Sequence, residues 1–172
     1  MLTAAVLVAV AAGLLIPAGI AKLRAPSVAR QALGLPAAAD RWVQALGVGE
    51  LLLAAAVLAT GARPVVAMLA AAYGGFTVVA LRQRARGASC GCFGASETPT
   101  GWHHVVLDAS AAAAALVGTV VAVPSALELV ASGPLAGVPT LVAGVLAVAS
   151  VQLTITVLPE LAAARRTAGG AL

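Results

Sequence analysis

Long stretches without charged side chains recur along this chain and restrict the folds that it can adopt. Residues 2–21 carry no charge, and 20 residues at the helical rise cover roughly 30 Å, the thickness of the hydrocarbon core of a bilayer. Hydrophobic residues make up 62% of the 172 residues and charged residues 9%, which is more apolar side chain than a soluble domain can bury. The sequence therefore predicts an all-α integral membrane protein whose solvent is the lipid bilayer.

Five apolar stretches are long enough to cross a membrane. We expect spans at about residues 2–21, 42–62, 64–81, 105–123 and 140–158, all packed within one domain that covers residues 1–172. The short link at residues 61–63 forces the second and third spans into an antiparallel hairpin, and residues 124–139 are predicted to be rich in turns. Residues 25–40 are expected to lie along the membrane interface. No basic residue precedes the first span, which favours a retained helix over a cleaved signal peptide.

The basic residues predict the orientation of the chain. Nine of the ten Lys and Arg residues lie in the first loop, the third loop or the C-terminal tail, and Arg63 lies on the other side. Because Lys and Arg are retained on the cytoplasmic side, we expect an outside N-terminus and a cytoplasmic C-terminus in an inner or plasma membrane. The loop around Cys90 is then cytoplasmic. The basic residues are not interleaved with aromatic ones, so no nucleic-acid partner is expected.

Cys90 and Cys92, separated by Gly91, are the two cysteines of the chain. The glycine permits the backbone angles that a spacer of one residue demands, and three arginines just upstream favour the thiolate, which is the nucleophile in disulfide exchange. A disulfide closed over one residue lies far from relaxed geometry and is therefore easily reduced. The pattern predicts a pair that cycles between dithiol and disulfide, with two inert buried cysteines as the alternative.

Two histidines follow the cysteines and add two hypotheses. His104 and Asp108 are four residues apart on one helix face, so the carboxylate could orient the imidazole and the pair could take the proton released by thiol oxidation; a helix-capping role is the alternative for Asp108. Cys and His together also suit zinc or copper, although adjacent histidines such as His103 and His104 point about 100° apart on a helix.

Glu50 is the one charged residue within the apolar second predicted span. A charged side chain near the middle of a span costs roughly 3 kcal/mol on insertion scales, so Glu50 is expected to face the interior, protonated or paired with a group such as Lys22 or Arg24. Lys22 itself, at the end of the first span, is expected to extend its ammonium to the membrane surface. For Glu50 we predict a role as a proton carrier or a contact with a ligand or cofactor in the inner cavity, with a structural hydrogen bond as the alternative.

These features together resemble the MauE branch of the MauE/DoxX-like membrane proteins, a family named after methylamine utilisation. The resemblance covers residues 10–125 and rests on Ala18-Gly19-Ile20-Ala21-Lys22-Leu23, Leu33-Gly34-Leu35-Pro36, Glu50-Leu51, Cys90-Gly91-Cys92-Phe93-Gly94, His104 and Asp108. It implies a DoxX-like core of four helices followed by one C-terminal helix. It also implies a redox-associated role, such as assisting disulfide formation during maturation of a disulfide-rich methylamine dehydrogenase subunit.

The resulting hypothesis is a membrane thiol-disulfide oxidoreductase with catalytic Cys90, Cys92, His104 and Asp108. A thioredoxin-like or other thiol protein is the expected partner on the cytoplasmic side, although a periplasmic substrate would need the thiols outside. The sequence contains no recognisable cofactor-binding motif. A quinone is an electron acceptor that such a chain could use. Two alternatives stay open, namely a Cys/His metal-handling protein and a non-catalytic scaffold or small-solute carrier in which Glu50 matters and the cysteines do not.

Overall fold

Helices make up the regular structure of the part of the chain that the computed structural model describes, residues 2–88, 100–133, 137–139 and 142–154. The helices of this part with both ends described are α1 Leu2–Arg24, α2 Pro26–Ala32, α3 Asp40–Thr60, α4 Arg63–Arg86, α5 Trp102–Val121 and α6 Ala126–Ser132. Residues 142–154 are also helical. A 3₁₀ turn, Ala37–Ala39, precedes α3. Helices α1, α3, α4 and α5 and a C-terminal segment, Gly137–Thr154, are long and apolar enough to cross a membrane. The predicted all-α fold with five spans is confirmed.

The four long helices pack as an antiparallel bundle. The most extensive contacts join α4 to α5 and α1 to α3, and α1 also packs on α5. Large apolar side chains cover the outside of the bundle, including Leu52, Met68, Leu116 and Val120, each at least 60% exposed. A surface of this kind is stable in lipid and not in water. The chain is therefore a multi-pass membrane protein.

Helix ends differ from the predicted spans where the helix continues beyond the apolar stretch. Helix α4 runs five residues past the predicted end at residue 81 and stops at Gly87, whose φ of 64° belongs to the left-handed region that ends many helices. Its last turn is charged and was not part of the apolar pattern. Gly61 ends α3 in the same way and makes the tight predicted hairpin to α4.

The segments between the spans are more ordered than predicted. Within the turn-rich residues 124–139 lies helix α6, whose start is fixed by a capping box in which Ser125 and Glu128 bond each other's backbone N–H groups. The sequence Ser125-Ala126-Leu127-Glu128 has the spacing that predicts such a start. Residues 25–40 form α2 and the 3₁₀ turn, and Arg30 Nε lies 2.6 Å from Asp40 Oδ1 across them.

Candidate functional site

The thiol pair belongs to residues 89–99, which lie outside the described residues, so the prediction for Cys90 and Cys92 remains a prediction. The residues on either side of this segment are described. Ala88 follows the end of α4, and Thr100 precedes α5. The carbonyl of Ala88 accepts two hydrogen bonds, from the backbone N–H of Thr100 at 3.0 Å and from its hydroxyl at 2.8 Å. Both ends of the cysteine-bearing segment are thus joined at one point, and Thr100 is buried there.

Side-chain contacts connect the region around Ala88 and Thr100 to the rest of the bundle. The guanidinium of Arg84 in the last turn of α4 stacks on the ring of Trp102 at the start of α5, 4.2 Å from the ring centroid. Such a cation–π contact contributes about 0.5–1 kcal/mol at an exposed site. The buried amide of Gln83 donates to the carbonyl of Ala32 at the end of α2. These contacts fix helices α2, α4 and α5 to one another near Ala88 and Thr100.

His103 and His104 lie in the first turn of α5 with ring centroids 4.3 Å apart. The Nδ1 atom of His104 is buried and has no hydrogen-bond partner among the described residues. No hydrogen bond joins His104 to Asp108 within that part of the chain, so the predicted orienting contact between them is not formed. The i, i+4 spacing places both residues on one helix face, but it does not make their side chains point at each other. The side chain of Asp108 packs against α1 and α4 instead.

Lys22 and Glu50 form a buried ion pair between α1 and α3. The ammonium Nζ lies 2.9 Å from each carboxylate oxygen of Glu50, and the two residues are 4% and 3% exposed. The expectation that Glu50 faces the interior with a partner is met by Lys22. The expectation that Lys22 extends to the membrane surface is wrong, because its ammonium turns inward to the carboxylate of Glu50. This partner lies on α3, and an argument from α1 alone does not include it.

Two glycines explain why these side chains meet. Gly19 of α1 and Gly47 of α3 face each other so closely that a Cβ on either would come within 2.8 Å of the other's carbonyl oxygen. Lys22 and Glu50 each follow their glycine by three residues, and in an antiparallel pair they lie on opposite sides of the crossing. Because helical side chains lean toward the N-terminus of their own helix, both lean back over the crossing and meet.

A second carboxylate lies near this pair. Asp108 of α5 is 6% exposed and lines a small cavity together with Lys22, Tyr73 and Phe76. The ring of Phe76 lies 5.7 Å from the ammonium of Lys22, and the hydroxyl of Tyr73 donates to the carbonyl of Ala11 at 2.6 Å. Four helices thus contribute one cation, two carboxylates and a phenol to the bundle interior. Glu50 and Asp108 were predicted from the sequence as functional residues. Tyr73 was not, because a single aromatic residue in an apolar span carries no functional signal.

A larger cavity of about 400 Å³ lies on another face of α1. Its walls are apolar, and the residues that line it are Val6, Ala9, Gly13, Ile16, Pro17, Leu58, Ala126, Leu129, Gly144, Val145 and Val148. Glu50 lines neither cavity, so its predicted contact with a cofactor stays a prediction. Among the described residues no three His, Cys, Asp or Glu side chains cluster as metal ligands; the metal hypothesis needs the cysteines, which lie outside them.

Comparison with protein-family models matches residues 1–121 to a family described as "Methylamine utilisation protein MauE". The match includes the Lys22–Glu50 pair, both cysteines and Asp108. Comparisons with curated proteins and with solved structures give no match.

Proposed function

Since this chain belongs to the MauE family of methylamine utilisation proteins, a family of membrane proteins tied to that process, we propose that it is a membrane-embedded thiol-disulfide redox protein. Cys90 and Cys92 alternate between dithiol and disulfide and assist disulfide formation or electron transfer between a thiol partner and the membrane. The observation that carries the proposal is the double hydrogen bond between Ala88 and Thr100. It ties the ends of the segment that contains both cysteines to a fixed point on α4 and α5.

The proposed reaction begins when a thiolate of a partner dithiol attacks one sulfur of the Cys90–Cys92 disulfide. A mixed disulfide forms, and the other cysteine leaves as a thiolate. The second thiol of the partner then displaces the bound cysteine, so that the partner gains a disulfide and the pair becomes a dithiol. Oxidation of the dithiol back to the disulfide releases two electrons and two protons, which a lipid-soluble quinone would accept if it is the electron acceptor.

His104 is the proposed base for this chemistry, because it stands four residues after the anchored Thr100. Its buried Nδ1 has no partner in the described residues and can accept a proton or a hydrogen bond. A neutral imidazole near a thiol favours the thiolate and thereby the attack. Asp108 is the proposed second proton carrier, one helical turn further along α5; it releases its proton and then takes up another.

The apolar cavity of about 400 Å³ supports one part of the quinone proposal. Its apolar lining suits an isoprenoid chain. A quinone ring needs hydrogen-bond donors for its carbonyls, and none of the described side chains that line this cavity supplies one. We therefore propose this cavity for the tail of the acceptor and not for its ring.

The test is a redox titration of the purified full-length protein. The protein is equilibrated in thiol buffers of graded potential and its free thiols are counted by a mass-shifting alkylating reagent. The pair should lose both labels in one step as the buffer becomes oxidising, while C90S and C92S each keep one labelled thiol throughout. Because the chain has two cysteines, protein that carries two labels at every accessible potential contradicts the proposal.

We also propose the orientation that the basic residues indicate, with the segment at residues 89–99 on the cytoplasmic side of the inner or plasma membrane, the N-terminus outside and the C-terminus inside. A thioredoxin-like protein of the cytoplasm could then reach the thiols. A membrane-impermeant maleimide should label the reduced pair only after the membrane is permeabilised. Labelling in intact cells would place the pair outside, where a periplasmic thiol protein becomes the partner.

A further inference from the structure

We infer that Asp108, beside the Lys22–Glu50 ion pair, forms a proton-binding site inside the bundle, with Asp108 as the group that binds and releases the proton. This inference does not rest on the thiol chemistry. It follows from the burial, the cavity and the charges around these residues.

The first argument is the burial of Asp108. Its side chain is more than nine-tenths buried, and it has no hydrogen bond or ion pair of its own with any described residue. Buried carboxylates are ordinarily hydrogen-bonded or paired, because an isolated charge in an apolar interior is costly. A carboxyl group in this position must acquire a proton or a polar partner other than the side chains of the described residues.

The second argument is the cavity in front of it. Its volume of about 10 Å³ is close to the minimum of roughly 10–15 Å³ that one water molecule requires. Asp108, Lys22 and Tyr73 are the polar residues on its wall, and Leu14, Leu15 and Phe76 lie among the apolar ones. The lining is almost entirely apolar, so a water there would find fewer than the usual two to four polar partners. A proton on the carboxyl group therefore satisfies it better than a water would.

The third argument is the count of charges on the four helices that face the site. Helix α1 supplies the ammonium of Lys22, α3 the carboxylate of Glu50, α4 the phenol of Tyr73 and α5 the carboxyl group of Asp108. Lys22 already contacts both oxygens of Glu50, and the hydroxyl proton of Tyr73 is donated to Ala11. One cation therefore faces two carboxyl groups, so a proton on Asp108 balances the interior charge.

The same charges select a proton over a metal cation. Lys22 lines the cavity, and its buried ammonium repels a second cation in this weakly screened interior. A volume near that of one water also leaves no room for a cation with its hydration shell. A proton carried by the carboxyl group adds no ion to the cavity.

Isotope labelling gives a direct test, because the chain contains only two aspartates, Asp40 and Asp108. The full-length protein is reconstituted in lipid vesicles with aspartate labelled by ¹³C at the side-chain carboxyl, and infrared spectra are recorded at neutral pH. We expect a carboxylic-acid C=O band that shifts with the label and with exchange into D₂O. It should be lost in D108N and kept in the control D40N, whose side chain pairs with Arg30 outside the core.

Two further measurements sharpen the result. In E50Q the ammonium of Lys22 loses its partner and should turn to Asp108 across the small cavity, so the acid band should disappear there also. In a background without Cys90 and Cys92 the band should stay, which separates this proposal from the redox proposal. No label-sensitive acid band in the wild-type protein, a band that survives D108N or E50Q, or a band that depends on sodium would each overturn the inference.

Discussion

A methyl group added to Gly47 should separate α1 from α3 and weaken the Lys22–Glu50 ion pair. In the native crossing a Cβ at Gly47 would lie 2.8 Å from the carbonyl oxygen of Gly19 and 3.1 Å from Cβ of Lys22. The first neighbour is backbone of the opposite helix and cannot rotate away. The helices must therefore move apart by several tenths of an ångström, and the contacts of 2.9 Å between Lys22 and Glu50 lie next to this point.

Gly49, two residues further along the same helix, provides the matched control. A Cβ there would meet nothing within 4 Å, so Gly49→Ala brings only the higher helix propensity of alanine, about 0.5–1 kcal/mol of stabilisation as measured in water. Gly47→Ala gains the same propensity and loses about 1–3 kcal/mol to overpacking. The two substitutions should therefore change the free energy of unfolding in opposite directions.

Unfolding of the purified protein in mixed micelles, followed by the fluorescence of its two tryptophans, measures both free energies. Reaction of Lys22, the single lysine of the chain, with a water-soluble acylating reagent reports separately on the ion pair. Gly47→Ala should be less stable than wild type and its lysine more reactive, while Gly49→Ala should match wild type in reactivity. Equal effects of the two substitutions would refute the close crossing.

Three other consequences can be measured. Tyr73→Phe removes the hydrogen bond to Ala11 and should lower the unfolding free energy by about 1 kcal/mol; an unchanged value would mean that the hydroxyl bonds elsewhere. Thr100→Val removes one of two hydrogen bonds to Ala88 and should speed amide exchange at residue 100 by about fivefold, the equivalent of about 1 kcal/mol of local stability; exchange as slow as in wild type would dismiss this anchor. Lys22 of the folded wild-type protein should resist acylation that is complete in denaturing detergent, and rapid modification without unfolding would contradict its burial.

The spans were predictable because they depend on properties that each segment carries by itself. Twenty apolar residues satisfy their own backbone hydrogen bonds as a helix and match the thickness of a bilayer whatever their neighbours are. The end of α4 was not predictable from hydropathy, since the helix continues through charged residues to a glycine outside the apolar stretch. Capping chemistry, at Gly87 and at Ser125, carries the signal for such boundaries.

Pairing between helices was harder to predict, because it depends on which faces meet. Lys22 was expected at the membrane surface on the behaviour of single helices, yet its partner lies on α3. A signal was present in the repeated pattern in which a glycine is followed three residues later by a charged residue and then by leucine, at Gly19–Leu23 and Gly47–Leu51. Small residues at corresponding positions of two spans indicate a close crossing, and opposite charges one turn beyond indicate an ion pair.

Helix α5 connects the two proposals in this structure. It begins at Trp102, two residues after the anchored Thr100, and Asp108 lies six residues further on, a rise of about 9 Å along the helix. His104 stands between them, on the same face as Asp108 and one turn nearer to the cysteine-bearing segment. A proton released by the proposed thiol oxidation would therefore pass His104 before it reaches Asp108. Because no hydrogen bond joins the two side chains among the described residues, that transfer needs either a water molecule or a rotation of the imidazole, and His104→Phe should slow proton uptake by Asp108 without removing its acid band.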